Sequence, residues 1–394
     1  MNSRQRARRA DYIPKGNTVK LKNVAAAGAI VLASALALTA CSGSNNSGSS
    51  NSPKPSDTSS VDLSSLSGTI TAGGSSAQAN VQQAWTTAFT QQATGVKINY
   101  DKSQGSGGGV TNWLAGSYDF AGTDAALKPE QFTQAQTAPC GAAGALNIPV
   151  YLSGVVIIYK LPGDPKVKVT GQILAQIFAG KITSWNDPKL VAVNSGTTLP
   201  NLKISVVHRS DGSGTTANFT TYLSQIDPTD WTWAAGTAWP NNVGSGQQGG
   251  SGVVNTVEAG SGTIGYADQS SVGSATMADV QVGTSGSTFS TYSAAGATAA
   301  FAAAATDASQ GAGDLTKKLD YTKITDASAY PIPLLSYDVL CKNFKDSTQG
   351  KLTAAYIGFI GSSEGQQVGA ANAKAAPLPD SILAEIKTSL ADVK

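Results

Sequence analysis

The sequence predicts an α/β fold built on parallel strands, in a chain long enough for two domains of ordinary size. Three observations carry this expectation. Short β-branched stretches alternate with stretches of helical apolar spacing at close intervals, the pattern of strand–helix–strand units. Turns rich in Gly, Ser and Thr sit where a strand hands over to a helix. The chain has 394 residues, 41% of them hydrophobic, enough to bury more than one core.

Residues 1–41 are expected to be an export leader rather than part of the fold. Arg4, Arg6, Arg8, Arg9, Lys15, Lys20 and Lys22 form a basic segment, and Val24–Ala40 is an apolar run too short for a comfortable membrane span. The run ends in "LTAC" (Leu38–Cys41), which resembles the bacterial lipobox, in which the cysteine is lipidated (typically palmitoylated) and becomes the new N-terminus. A plain secretory signal that happens to contain a cysteine is the alternative. The Arg8-Arg9 pair lies far from the apolar run, which favours the general secretory route over twin-arginine export. Residues 42–67 are Ser, Gly, Asn, Pro and Asp with few apolar side chains and read as a flexible leash.

Removing the leader changes the charge. Of 27 Lys+Arg and 25 Asp+Glu, the leader carries seven and one, leaving 20 against 24, a formal −4. A net acidic chain without a basic cluster is a poor candidate for bulk nucleic-acid binding. Two cysteines remain, Cys140 and Cys341. Export allows a disulfide between them; two separate buried thiols are the alternative.

The fold elements follow in order. "TITA" (Thr69–Ala72) is a short strand. Val81, Trp85 and Phe89 share one helix face, which Gly95 ends. "VKINYD" is the next strand, "QGSGGG" (Gln104–Gly109) a turn, "VTNWLAG" a short helix, and "YDFAGTD" (Tyr118–Asp124) a strand ending in a polar loop. "GALNIPVYLSGVVIIYKL" reads as buried strands. "GQILAQIFAG" opens a second α/β region, in which "KISVV" (Lys203–Val207) is a strand. Phe219, Leu223 and Ile226 mark the helix after it. "FAAAATDA" (Phe301–Ala308) is expected to be an Ala-rich helix, and "YPIPLLSYDVLC" returns to β character before C-terminal helices.

Three places share a grammar of strand, Gly/Ser/Thr turn and helix start: "AGGSSA" (Ala72–Ala77), "QGSGGG" and "RSDGSGTT" (Arg209–Thr216). A helix start offers unpaired N–H groups and the positive end of the dipole. Gly admits a ligand to the backbone, and Ser or Thr adds hydroxyls, so each turn is a possible anion cradle. Singly they are ordinary N-caps; three in one chain, one with an arginine, say more. No Lys follows these glycines as a P-loop requires. The literal GxGxxG at Gly260–Gly265 runs into "YAD" rather than a helix. His208 is the only histidine, so neither a His-rich metal site nor a two-histidine mechanism has support, and it reads as a structural strand-end residue. Ser213 lacks the G-x-S-x-G surroundings of a nucleophile elbow. Asp211 either pairs Arg209 for structure alone or fixes its guanidinium toward an anion.

These residues resemble those of a known family. "TAGGSSAQA", "GSGGGV" followed by "DFAGTD", "FAGKITSWNDP", "HRSDGSGTT", "GTIGYAD", "AYPI" and "PLPDSI" occur in the order seen in the phosphate-binding proteins of bacterial phosphate-specific ABC transporters, class II periplasmic-type solute-binding proteins. The resemblance runs from about Thr69 to the C-terminus. It implies a two-lobed α/β fold with a ligand cleft between the lobes and crossing hinge strands. Lobe I would be residues 68–158 and 331–394, lobe II residues 159–330. The implied phosphate ligands are the Ser75 hydroxyl, the Ser76 backbone N–H, the Ser106 hydroxyl, the Asp124 carboxylate, the Arg209 guanidinium, and Ser213, Gly214 and Thr215. Many members carry Thr-Phe where this chain has Ser75-Ser76, which keeps hydroxyl and amide but loses an aromatic wall. The implied function is capture of phosphate outside the membrane, by a monomer with no cofactor, metal or catalytic residue, lipid-anchored to the outer face of the cell membrane through Cys41. The closed form would dock on a membrane permease driven by an ATPase. A secreted phosphatase on the same scaffold, or a receptor for sulfate or another oxyanion, are the competing readings.

Overall fold

The computed structural model describes residues 62–307, 309 and 311–394. The leader, Cys41 and most of the leash lie outside the described residues. Strand β1 (Ser67–Gly74) is followed by α1 (Ala79–Gln92), β2 (Gly95–Asp101), α2 (Gly105–Leu114), β3 (Phe120–Thr123), α3 (Pro129–Thr137) and the long strand β4 (Ala145–Lys160). Then come β5 (Lys168–Val169), α4 (Gly171–Phe178), α5 (Pro188–Val193), β6 (Ser205–Arg209), α6 (Gly214–Ile226), β7 (Ser245–Gln247), α7 (Gly249–Ala259), β8 (Thr263–Asp268) and β9 (Thr276–Met277). Strands β10 (Asp279–Gln281) and β11 (Phe289–Ser290), helix α8 (Ala294–Phe301), and strands β12 (Ala304–Thr306) and β13 (Lys317–Leu319) follow. Strand β14 (Pro333–Cys341) and helices α9 (Ser347–Ile360), α10 (Ser363–Ala373) and α11 (Asp380–Leu390) complete the order.

The main sheet runs β2-β1-β3-β14-β4-β8-β6-β7, with β9 added on β4. One parallel block is β1 with β2 and β3, and the other is β6 with β7 and β8. Between them β4 and β14 are antiparallel to each other, and each is antiparallel to its outer neighbour, β8 and β3 respectively. The sheet is therefore mixed, where alternation along the chain suggested parallel strands. Alternation constrains only sequence neighbours, whereas β14 returns to β4 from far along the chain.

The stretch expected to form several buried strands is one. β4 pairs with β14 through Ala145–Gly154 and with β8 through Val155–Lys160, so a single strand bridges both blocks. All of it is buried except half-buried Lys160, which is why it carries a continuous apolar run rather than an alternating one. Cys140, just before β4, and Cys341, the last residue of β14, form a disulfide with their Cα atoms 4.9 Å apart. Val81, Trp85 and Phe89 of α1 are buried as their spacing required, and the Trp85 indole donates to the Gly365 carbonyl at 2.7 Å. Gly95 begins β2 rather than capping the helix, which ends at Gln92.

Three further expectations are corrected. The run Gly105–Gly109 is not a turn before a helix but the first half of α2. It is helical despite its low propensity because the helix lies against other backbone: a Cβ on Gly109 would run onto Gly74 and sit 2.8 Å from the Gly73 carbonyl oxygen. Of the stretch expected as an Ala-rich helix, Phe301 is the last residue of α8, and residues 302–307 are not helical. The Ala-rich helix lies earlier, as α8 with Ser293 as N-cap, and Ala304–Thr306 pairs antiparallel with β13 instead. Long-range pairing here overrides alanine's helix preference. Finally, Leu63–Ser65, placed in the leash, forms a 3₁₀ turn capped by Asp62, and Leu63 and Leu66 pack against the core.

Candidate anion-binding site

Four helix N-termini, those of α1, α2, α6 and α7, meet between the two sheet blocks, tied to one another by hydrogen bonds. Each starts from a loop at the end of a strand, so their N–H groups and dipoles converge on the same place. The Gly107 amide donates to the Gly212 carbonyl at 2.8 Å, joining the α2 start to the loop before α6. The Gly249 amide donates to Asp211 Oδ1 at 3.1 Å, and the Gly250 amide to Ser76 Oγ at 3.2 Å, which ties α7 to both other loops.

Asp124, one residue past β3, is the hub, and it is 3% exposed. Its Oδ1 accepts from Ser75 Oγ at 2.5 Å and from Ser336 Oγ at 2.8 Å. Its Oδ2 accepts from Thr215 Oγ1 at 3.0 Å. Its backbone amide donates to Ser106 Oγ at 3.2 Å, and its carbonyl accepts from Asn218 Nδ2 at 2.6 Å. Burial pushes the carboxyl above its ordinary range, opposed by the hydroxyl donors of Ser75, Ser336 and Thr215 and by the Arg209 charge.

Arg209 ends β6 and is 3% exposed. Asp211 grips one edge of its guanidinium, with Nε donating to Oδ1 at 2.7 Å and Nη2 paired with Oδ2. The Nη1 side is committed to no acceptor among the described residues. Burial alone would raise the Asp211 carboxyl, but the hydrogen bond and charge of Arg209 bring it below the usual carboxylate range. His208, its neighbour on β6, stacks its ring on Trp239 with centroids 4.7 Å apart, and Nδ1 lies 2.9 Å from the Arg209 carbonyl oxygen.

The remaining residues singled out in the sequence come together here. Ser213 caps α6, its Oγ accepting from the Thr216 amide at 3.1 Å. Gly214 is where the two sides touch most closely: a Cβ there would lie 2.6 Å from Ser106 Oγ and 2.8 Å from the Asp124 amide nitrogen. Ser75 Oγ also accepts from the Ala77 amide at 3.1 Å, holding the start of α1. The hydroxyls of Ser106 and Ser213 accept backbone N–H groups and have no acceptor for their own protons among the described residues. Among the described residues no group of three or more His, Cys, Asp or Glu is arranged to hold a metal, and no helix is long and apolar enough to cross a membrane.

Sequence reasoning missed Ser336, Asn218 and Gln78. Ser336 and Asp338 are two apart on β14, hence on one face of the strand, and both are fully buried. Gln78 and Gln82 are four apart at the start of α1, hence on one helix face, and are also fully buried. Polar residues recurring at element spacing inside apolar runs were the available signal.

The fold defines a class: a two-lobed solute-binding protein, its two parallel strand blocks joined through β4 and β14. The PBP superfamily domain matches residues 59–364. The chain is 30% identical over 372 residues to phosphate-binding protein PstS 3 of Mycobacterium leprae, covering 94% of this chain and 99% of that one. It is 34% identical over 305 residues to phosphate-binding protein PstS of Xylella fastidiosa, covering 75% and 78%. Among solved structures, the phosphate-binding protein of Stenotrophomonas maltophilia superposes with a TM-score of 0.63 at 19% identity, covering 82% of this chain and 94% of that one. The chain belongs to the PstS family of phosphate-binding proteins within the PBP superfamily.

Proposed function

We propose that the cleft binds inorganic phosphate outside the membrane and delivers it to an ABC-type importer, without catalysis. The observation that carries this reading is Asp124, a carboxylate buried in a cradle otherwise made of donors. An unprotonated anion would meet it as a repulsion in a dehydrated site. Monohydrogen and dihydrogen phosphate both bring a proton that the carboxylate accepts, and sulfate near neutral pH does not. Arg209, oriented by Asp211, supplies the fixed positive charge. Ser106 and Ser213 supply hydroxyls with uncommitted protons, Ser75, expected from the sequence as a third, gives its proton to Asp124 instead, and Ser76, Gly214 and Thr215 line the backbone cradle. Family membership and the names of the relatives support the same reading.

The two sides of the cradle are taken as lobe I, residues 68–158 and 331–394, and lobe II, residues 159–330. Binding then shifts an opening and closing equilibrium about β4 and β14, and the closed form is the one a permease recognises. Cys41 anchors the monomer to the outer face of the membrane by a lipid; intact mass of the membrane-extracted protein without a lipid adduct on Cys41 would remove the anchor. Isothermal calorimetry of the leaderless protein with phosphate and with sulfate at fixed ionic strength tests the function. Saturable binding of phosphate with strong preference over sulfate is expected; equal affinity refutes it, and turnover of a chromogenic phosphoester would reassign the site to an esterase.

A further inference from the structure

Behind Asp124 lies a buried chain of polar side chains that no ligand role explains. The Tyr356 hydroxyl donates to Gln82 Oε1 at 2.8 Å, Gln82 Nε2 to Gln78 Oε1 at 2.8 Å, and Gln78 Nε2 to Ser336 Oγ at 2.7 Å. Ser336 Oγ lies 2.8 Å from Asp124 Oδ1 and 3.2 Å from the Thr123 carbonyl oxygen. All four residues behind Asp124 are 0% exposed.

The direction of the chain is fixed by its chemistry. Gln78 Nε2 also faces the Tyr337 carbonyl oxygen at 3.0 Å, and a carbonyl can only accept, so the nitrogen of the amide must be on that side. Gln78 therefore donates to Ser336 Oγ, which leaves the serine proton to point forward. Of its two acceptors Asp124 is both the nearer and the charged one. A carboxylate oxygen has two in-plane lone pairs. Ser75 and Ser336 fill both on Oδ1, whereas Thr215 fills one on Oδ2.

We propose that Ser336, aimed by the Gln78–Gln82 amide chain, is a positioning residue for anion selectivity: it completes the shell of Asp124 Oδ1, so that the carboxylate presents Oδ2 as its single free acceptor to the ligand's proton. This rests on the phosphate reading above. Without the Ser336 donor, Oδ1 has an open lone pair. The carboxylate is then free to turn and is more easily protonated, and a protonated Asp124 can donate to sulfate. Selectivity falls even though no residue touching the anion has changed.

The test is calorimetric titration of wild type, Ser336→Ala and Ser336→Cys with phosphate and with sulfate at fixed pH and ionic strength, with thermal unfolding of each. One hydrogen bond to a charged group sets the scale, so Ser336→Ala should lower the phosphate-to-sulfate affinity ratio by at least about tenfold. Ser336→Cys, nearly isosteric with a weak S–H donor, should fall between, and it reads the effect if the alanine variant fails to fold. An unchanged ratio, or equal weakening of both anions, overturns the positioning role and leaves Ser336 as a structural pin. A wild type that shows no preference for phosphate overturns instead the functional reading on which the proposal stands.

Discussion

Asp124→Asn isolates the feature on which selectivity depends. In the native cradle Ser75 and Ser336 both donate to Oδ1, at 2.5 and 2.8 Å. An asparagine must therefore place its amide oxygen at the Oδ1 position, because an amide nitrogen there would face two donors. Its NH₂ then takes the place of Oδ2, next to Thr215 Oγ1, which lies 3.0 Å from Oδ2 in the native site. One acceptor becomes a donor, and one negative charge disappears. Phosphate loses a hydrogen bond to a charged group, worth about 1.5–3 kcal/mol, so its affinity should drop about ten- to 150-fold. Sulfate escapes the buried charge and gains a donor of similar worth. A site built around a group the analogue cannot satisfy rejects it by about 10⁴–10⁵, and most of that rejection should go: the ratio of affinities falls by roughly 10²–10⁴. The assay is equilibrium titration of both proteins with both anions at one pH and ionic strength. An Asn variant that keeps the full ratio would refute the reasoning, since neither the charge nor the acceptor could then be the discriminating element.

Other outcomes follow from the same geometry. Arg209→Ala should cost at least about tenfold in phosphate affinity, and Arg209→Lys should also weaken binding because it loses the planar fork that Asp211 grips; an alanine variant that binds as well as wild type removes Arg209 from the site. Asp338 is buried, with Gln82 Nε2 lying 3.4 and 3.3 Å from its two carboxyl oxygens, and burial pushes it up to about 8 despite the amides of Gln82 and Gln78. Its folded value lies above its unfolded one, so the native state holds a proton that the unfolded chain releases, and stability falls as pH rises from about 4 to about 8, by at most about 1.4 kcal/mol per pH unit. Asp268, raised to about 6, has the same sign over the lower part of that range. Asp338→Asn should flatten the melting temperature against pH above 6, and parallel curves for the two proteins would dismiss the assignment. Reducing the Cys140–Cys341 bridge, which closes a loop of about 200 residues, should cost roughly 2–5 kcal/mol; identical melting with and without reductant, with both thiols shown free, would contradict that.

Much of this was legible in the chain because it is local. The loops at Ser75 and Ser213 could be placed from a strand, small polar residues and a helix start, and Ser75 and Ser106 do meet at Asp124, although Ser106 lies inside α2 rather than in a turn. What was not legible depends on partners far apart in sequence. β14 separates β3 from β4 in the sheet, and nothing near Pro333–Cys341 announces that it runs antiparallel to both. Ala304–Thr306 has the composition of a helix and becomes a strand only because Lys317–Leu319 lies beside it. The glycines of α2 read as a turn, since the reason for glycine lies on other elements: the backbone of Gly73 and Gly74 against Gly109, and that of Gly212 against Gly105 and Gly107. Ser336 was hidden for the same reason: its partners are Asp124 and Gln78, each more than 200 residues away.

On the proposed function, the charges in the cleft make closure and recognition one event. Arg209 is neutralised by Asp211, and Asp124 adds a negative charge, so the three carry a formal −1 when all are ionised. An anion is thus not drawn in by net charge. The attraction must come from the N-termini of α1, α2, α6 and α7, each equivalent to roughly half a positive charge, and from the hydroxyls between them. Such partial charges act only within the first turn of a helix. α1 and α2 approach from one side and α6 and α7 from the other, held together by Gly107 on Gly212, Thr215 on Asp124 and Gly250 on Ser76. A cleft opened by a few ångströms would leave the anion facing half the dipoles and the whole of Asp124. Tight approach is possible because Gly214 has no side chain where a Cβ would strike Ser106 and Asp124. The same contacts that shut the cleft assemble its field, so an anion that cannot satisfy Asp124 also fails to hold the two sides together.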